Sequence, residues 1–260
     1  MSKVTDRLGN KQIVELAKKQ YEQRKQNSKF PPNIINLPSQ GKVYPETSVL
    51  SSGQIEMRQM TAYDEDILSN SSYIKEGIIF DKLLEALIVT PNVDIDELIA
   101  GDKEWLVISS RILGYGNEYP VFILDKKIEK EVSATIDLSK LKAKTFDETA
   151  DSNGCFEYII PSTKDIIKYR FLSASDASKI QQESLTSTFL KMCIYSVNGD
   201  SSETAIEEYL KYDLKAIDSR KFRKHIVDRA PGIDYKTTAV GEKGDTYDAM
   251  FQFNPDLFWF

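Results

Sequence analysis

The 260-residue chain is 28% charged and 41% apolar, with a formal net charge of −6 and a pI near 5.1. That composition can bury a core, and it argues against disorder and against nucleic acid, whose phosphates call for a concentrated positive field. The two cysteines, Cys155 and Cys193, exclude a disulfide framework and fit a reducing compartment.

The first segment, residues 1–30, reads as a basic amphipathic helix from Thr5 to about Lys29. Ile13, Leu16, Ala17 and Tyr21 fall on one helical stripe, and Lys, Gln, Arg and Glu fill the other face. Eight basic residues against three acids give the segment +5, leaving −11 on the rest of the chain. Pro31-Pro32 ends the helix, because proline removes a donor and restricts its predecessor. The segment is either a solvated helix packed on its own domain or an arm that docks on a partner, and on the second reading Tyr21, Arg24 and Lys25 are candidate contact residues. No apolar signal core follows the N-terminus. The most apolar stretch, Gly77 to Thr90, is interrupted by Asp81, Lys82 and Glu85 and falls short of the ~30 Å of hydrocarbon in a bilayer.

The body shows an internal repeat. Ile55 to Asp64 aligns with Ile167 to Asp176, so that Arg58, Ala62 and Asp64 match Arg170, Ala174 and Asp176. Each copy opens with period-two alternation (Ile55, Met57, Gln59; Ile167, Tyr169, Phe171), which predicts a strand. Each strand then runs into Thr/Ser-Ala-x-Asp, whose short oxygen-bearing side chains suit a helix start. Leu37-Pro-Ser39 and Ile160-Pro-Ser162 precede the two strands. Downstream, Ile78 to Val89 reads as a buried helix, and Phe189 to Val197 takes its place in the second copy. Asp102 and Asp213 stand where a further helix is expected to be capped. Trp105, Leu106, Ser109, Ile112 and Leu113 form one face of the first such helix; Ala216, Ile217, Phe222 and Ile226 form a weaker face of the second. Each copy closes in a predicted hairpin, Tyr119–Leu124 with Val132–Leu138, and Tyr235–Val240 with Tyr247–Phe253 around the Gly241–Asp245 turn. The polar, acidic stretch from Lys144 to Gly154 reads as the junction. The expected fold is therefore α+β: an internally duplicated unit of strands, helices and a β-hairpin after an N-terminal helix. The segments are 1–30, 31–148 and 149–260, and the two repeats can share one core.

Signs of catalysis are sparse. The single histidine, His225, lies on a basic helical stretch and reads as a solvated side chain, since metal sites need several converging ligands. The cysteines lack Cys-x-x-Cys spacing and read as small core residues. Gly114-Tyr-Gly116 follows a helix where a phosphate-binding loop would open one, so it reads as a C-cap and turn. Acid pairs such as Asp64/Asp66 and Asp94/Asp96 sit at predicted helix starts, where the helix dipole accounts for them. No catalytic residue, cofactor or metal is expected. The competing reading is an enzyme whose site is built from scattered carboxylates. The chain ends in Leu257, Phe258, Trp259 and Phe260; aromatics there call for burial, in the chain's own core or in a partner, and all four are candidate contact residues.

Asn36-Leu-Pro-Ser-Gln-Gly-Lys-Val-Tyr-Pro45, Arg58-Gln-Met-Thr-Ala-Tyr-Asp-Glu-Asp-Ile-Leu68, Gly77, Asp102 through Arg111 and Gly114-Tyr-Gly116 resemble the T-even-type phage baseplate proteins, the hub subunit and hub-assembly proteins of contractile tails. The resemblance is closest over Asn36 to Leu138 and looser beyond. Many members carry a Cys-x-x-Cys knuckle in a hairpin turn; here the turns read Leu124-Asp-Lys-Lys-Ile128 and Val240-Gly-Glu-Lys-Gly244, so no structural zinc is expected. The resemblance implies a protein that binds other phage tail proteins, the baseplate hub and tape-measure proteins. It would do so in the host cytoplasm during assembly, with the virion tail baseplate as a destination. It brings no catalytic residues.

Overall fold

A computed structural model describes residues 30–125, 129–176 and 186–259, and it is a mixed α+β structure. The N-terminal segment, with Tyr21, Arg24 and Lys25, lies outside the described residues, as does Phe260.

Strand β1 (Asn33–Asn36) pairs antiparallel with β2 (Gln54–Met57), Ile35 opposite Ile55. The connecting loop closes on itself where Leu37 N–H donates to Gly53 O at 2.8 Å. Gly41 and Gly53 both have positive φ (78° and 69°) and meet backbone to backbone. A Cβ on Gly41 would stand 2.3 Å from Ser51 O, so only glycine fits that crossing.

Helix α1 (Ala62–Leu68) begins as the Thr-Ala-x-Asp pattern predicts. Asp64 accepts from Thr61 N–H (2.8 Å) and Thr61 Oγ1 (3.0 Å), and Arg58 grips the same carboxylate with both Nη atoms at 2.7 Å. Burial raises the Asp64 pKa, but the Arg58 and Thr61 donors outweigh it and hold the carboxyl below its ordinary value. Helices α2 (Ser71–Glu76) and α3 (Ile79–Leu87) follow. The latter buries Ile79, Leu83, Leu84, Ala86 and Leu87, as the apolar run from Ile78 predicts. Helix α4 (Ala100–Tyr115) ends at Gly116 in the expected cap.

The hairpin β3 (Glu118–Asp125) and β4 (Lys130–Asp137) is joined by a second hairpin, β10 (Lys236–Gly241) and β11 (Thr246–Met250), into one four-stranded antiparallel sheet of order β11-β10-β4-β3. Ala239 pairs with Ile136 at the seam. Between them come β5 (Lys142–Ala143), β6 (Phe156–Ile159), β7 (Ile166–Tyr169), helix α5 (Thr186–Cys193), β8 (Ile194–Val197), α6 (Glu203–Glu208), α7 (Ala216–Arg229) and β9 (Ile233–Asp234). The β6-β7-β8 sheet is antiparallel throughout, and β5 pairs with β9 across the chain. One apolar cluster runs from Leu37 through Phe222 to Phe258 and includes residues of both halves.

Three sequence expectations need correction. Phe189 to Val197 is not one helix: the helix stops at Cys193 and the chain turns directly into β8, whose pairing with β7 overrides the local preference. The second long helix opens at Ala216, so its counterpart of Asp102 is Asp218 and not Asp213; Tyr209–Asp213 form a π-helical turn that lengthens the connection. His225 is not a solvated side chain. It is half-buried, with its Nε2 3.0 Å from Tyr169 Oη and its ring 4.6 Å from that of Tyr158. Burial lowers its pKa despite nearby Asp228.

Candidate protein interface

Two matching buried carboxylates organise the halves. Asp102, the third residue of α4, accepts from Ser39 N–H (2.9 Å), Ser39 Oγ (2.6 Å) and Tyr44 Oη (2.7 Å). Tyr44 Oη in turn accepts from Ile99 N–H at 3.1 Å. Asp218, the third residue of α7, accepts from Ser162 Oγ at 2.6 Å. The Leu37-Pro-Ser39 and Ile160-Pro-Ser162 motifs thus each tether a loop to the first turn of a long helix. Burial raises the Asp102 pKa against the hydrogen bonds from Ser39 and Tyr44, and burial with Asp102 beside it raises that of Tyr44.

The two carboxylates serve these tethers, while Tyr44 also faces a cleft. A polar cleft of about 710 Å³ lies between Val43–Val49, Asp96–Ile99 and Arg170–Asp176, but Asp102 does not line it. Glu104, whose pKa burial also raises against Tyr235 and Lys144, does not line it either; Tyr235 Oη donates to it. Among the described residues no group of three or more His, Cys, Asp or Glu side chains converges as a metal site, and no helix is long and apolar enough to cross a membrane. Both cysteines are buried, and burial pushes the Cys155 thiol up to about 11 and the Cys193 thiol up to about 12. Such thiols are poor nucleophiles.

The C-terminal candidates separate. Asn254 Oδ1 accepts from Asp256 N–H and starts a short 3-10 turn, Pro255–Phe258. Leu257 and Phe258 are buried in the chain's own core, while Trp259 is 46% exposed. The Phe258 ring lies 6.1 Å from Phe80 and 6.2 Å, edge-on, from Tyr115. Arg111 fixes the tail from below. Only 1% exposed, it donates from Nε to Leu257 O (3.1 Å), from Nη1 to Gly116 O (2.8 Å) and from Nη2 to Glu118 O (3.1 Å). Its guanidinium also sits 5.2 Å from the Tyr115 ring centroid. The planar fork of arginine can serve three carbonyls at once. Burial lowers its pKa against Tyr115 and Tyr119.

Sequence reasoning missed the outward face of the four-stranded sheet. Alternation turns Tyr119, Val121 and Ile123 inward and leaves Phe122 (80% exposed) and Leu124 (59%) outward. Val240 and Met250 are exposed on β10 and β11. The signal was in the sequence: Tyr119 to Leu124 is apolar in both phases, whereas a strand with one wet face alternates.

A family model described as "T4 bacteriophage base plate protein" matches residues 34–249. The comparisons with curated proteins and with solved structures returned no match.

Proposed function

The chain belongs to the T4 bacteriophage base plate protein family, and from that premise we propose that it is a baseplate hub subunit or hub-assembly factor that works by binding other tail proteins. The match over residues 34–249 carries this reading. A baseplate family points to structure and assembly in place of catalysis, and the placement of the perturbed carboxylates outside the cleft is consistent with that. The partners proposed are the hub and tape-measure proteins, met in the host cytoplasm during tail assembly. Tyr21, Arg24 and Lys25 on the basic N-terminal segment, and exposed Trp259 at the other end, are the proposed contacts. Leu257 and Phe258 set the direction of Trp259 from within the core, and Phe260 is proposed as a contact from the sequence alone. Duplication of one ancestral unit into 31–148 and 149–260 is supported by the paired Ser39–Asp102 and Ser162–Asp218 tethers.

A tagged chain, recovered from phage-infected cells and read by mass spectrometry beside the protein content of purified particles, tests the proposal. Hub and tape-measure proteins in the pull-down with the chain present in particles identify a structural subunit. The same partners with the chain absent from particles identify an assembly factor. Recovery of no tail protein refutes the reading.

A further inference from the structure

The tethers Ser39–Asp102 and Ser162–Asp218 set the two long helices in register, because each carboxylate belongs to the third residue of its helix. In that register the helices differ on one face. On α4 it carries Gly101, Glu104, Trp105, Ile108, Arg111 and Ile112, none of them exposed. The segment after α7 and the C-terminal tail lie on it: Pro231 O leaves no room for a Cβ on Gly101, Tyr235 Oη donates to Glu104, and Arg111 donates to Leu257 O. The matching positions of α7 are Ile217, Arg220, Lys221, Lys224, Val227 and Asp228, and all six are exposed. No described element covers them, which leaves Ile217 56% and Val227 60% exposed.

The bare face is cationic as well as apolar. Helix α7 holds five cations against Asp218 and Asp228, a balance of +3 in a chain of −6. Its counterpart α4 is neutral, with Asp102 and Glu104 against Lys103 and Arg111. Asp218 is buried and Asp228 is held by Lys224, and among the described residues no carboxylate pairs with Arg220 or Lys221. A single exposed aliphatic side chain needs no explanation. Two of them, with unpaired cations between, on the face whose counterpart in α4 is a packed seat, have the layout of a binding surface. A phosphate backbone would reward the cations alone; an acidic protein segment with its own aliphatic side chains rewards both. Ile217 and Val227 are ten residues apart, about 15 Å at ~1.5 Å per residue of helix. An extended segment covers that span in about five residues at ~3.3 Å each. We propose that the outward face of α7 docks an acidic segment of a partner protein, with its carboxylates on Arg220 and Lys221 and its aliphatic side chains on Ile217 and Val227. The surface deepens the functional reading above and rests on it only for the identity of the partner.

The test is zero-length carbodiimide cross-linking, which joins lysines to carboxylates in direct contact, on the tagged full-length chain recovered natively from phage-infected cells, with the linked residues read by mass spectrometry. Lys221 is expected to join an Asp or Glu of another protein, and the Lys224–Asp228 link reports that the reagent reaches the face. The intermolecular yield should fall about tenfold on Ile217→Gln and on Val227→Gln, the cost of losing one buried aliphatic side chain, and it should fall further when salt is raised before cross-linking. Both residues are exposed and glutamine suits a helix, so the variants should keep the wild-type circular dichroism spectrum and melting temperature. Lys221 joined only to carboxylates of this chain, or to none, overturns the proposal, as does a yield indifferent to both substitutions. A linked partner that is not a tail protein upholds the surface and refutes the functional reading. Tail proteins recovered with no link at Lys221 uphold that reading and refute the surface.

Discussion

Replacing Arg111 by methionine should loosen the C-terminal tail before it unfolds the rest. The substitution keeps most of the side-chain volume and removes the donors that serve Leu257, Gly116 and Glu118. An acceptor left unpaired in the interior costs about 1–3 kcal/mol, and Leu257 O is the one that is fully buried. The Gly116 and Glu118 carbonyls are partly buried and can recover water, so each adds about 0.5–1 kcal/mol. Release of a desolvated guanidinium returns part of this, which leaves a net loss of about 2–4 kcal/mol. At about 2–4 °C per kcal/mol for a domain of this size, a loss near the middle of that range lowers Tm by about 6–12 °C. Urea denaturation measures the global loss. In a Trp105→Phe background Trp259 is the single tryptophan, and its emission reports the tail. We expect Arg111→Lys to resemble the methionine variant, because an ammonium cannot span three carbonyls in fork geometry. A loss under about 0.5 kcal/mol, the ordinary range of surface substitutions, with Trp259 emission unchanged, would refute the clamp.

Gly101→Ala should destabilise by about 1–3 kcal/mol, since a Cβ there would stand 2.3 Å from Pro231 O and 2.5 Å from Gly232 Cα; the urea midpoint checks it, and a neutral result would mean that the two segments slide apart freely. The Asp64 pKa is depressed in the folded state, so its contribution to stability is present above the unfolded value of ~3.9 and is lost as pH falls through its lower folded value. The stability gap between the wild type and Asp64→Asn should therefore narrow with acidification below about pH 4, and a gap that stays constant would contradict this. Cys155 and Cys193, with thiols pushed up to about 11 and 12, should resist an aromatic disulfide reagent at pH 8 in the native state and react on addition of denaturant. Native-state reaction of Cys193 at the rate of a free thiol would show that its site opens.

Much of the fold was legible because its signals are local. Thr61 and Ser173 occupy the predicted start of each helix, with Ser173 Oγ accepting from Asp176 N–H at 3.1 Å. Alternation marked both hairpins, and Gly116 marked the end of α4. What stayed hidden depends on contacts far apart in sequence. Nothing near Ala239 announces that it will pair with Ile136, and nothing near Ile194 announces β7 as its partner. The offset from Asp213 to Asp218 arose because spacing was transferred from the first copy, where no π-turn intervenes. On the candidate interface, Leu257 and Phe258 read as sticky from composition alone, yet their partners Phe80, Tyr115 and Arg111 are distant along the chain. Phe122 went unremarked because a second apolar phase in a strand looks like ordinary core until the sheet shows which side is wet.

The seam between β4 and β10 also sets a timetable. Ile136 leaves the ribosome about a hundred residues before Ala239, the residue it pairs with. At ~5–20 residues per second, the open edge of β4 waits about 5–20 s for its neighbour. During that interval the nascent chain presents a bare strand edge beside the exposed Phe122 and Leu124, a combination prone to capture by other chains.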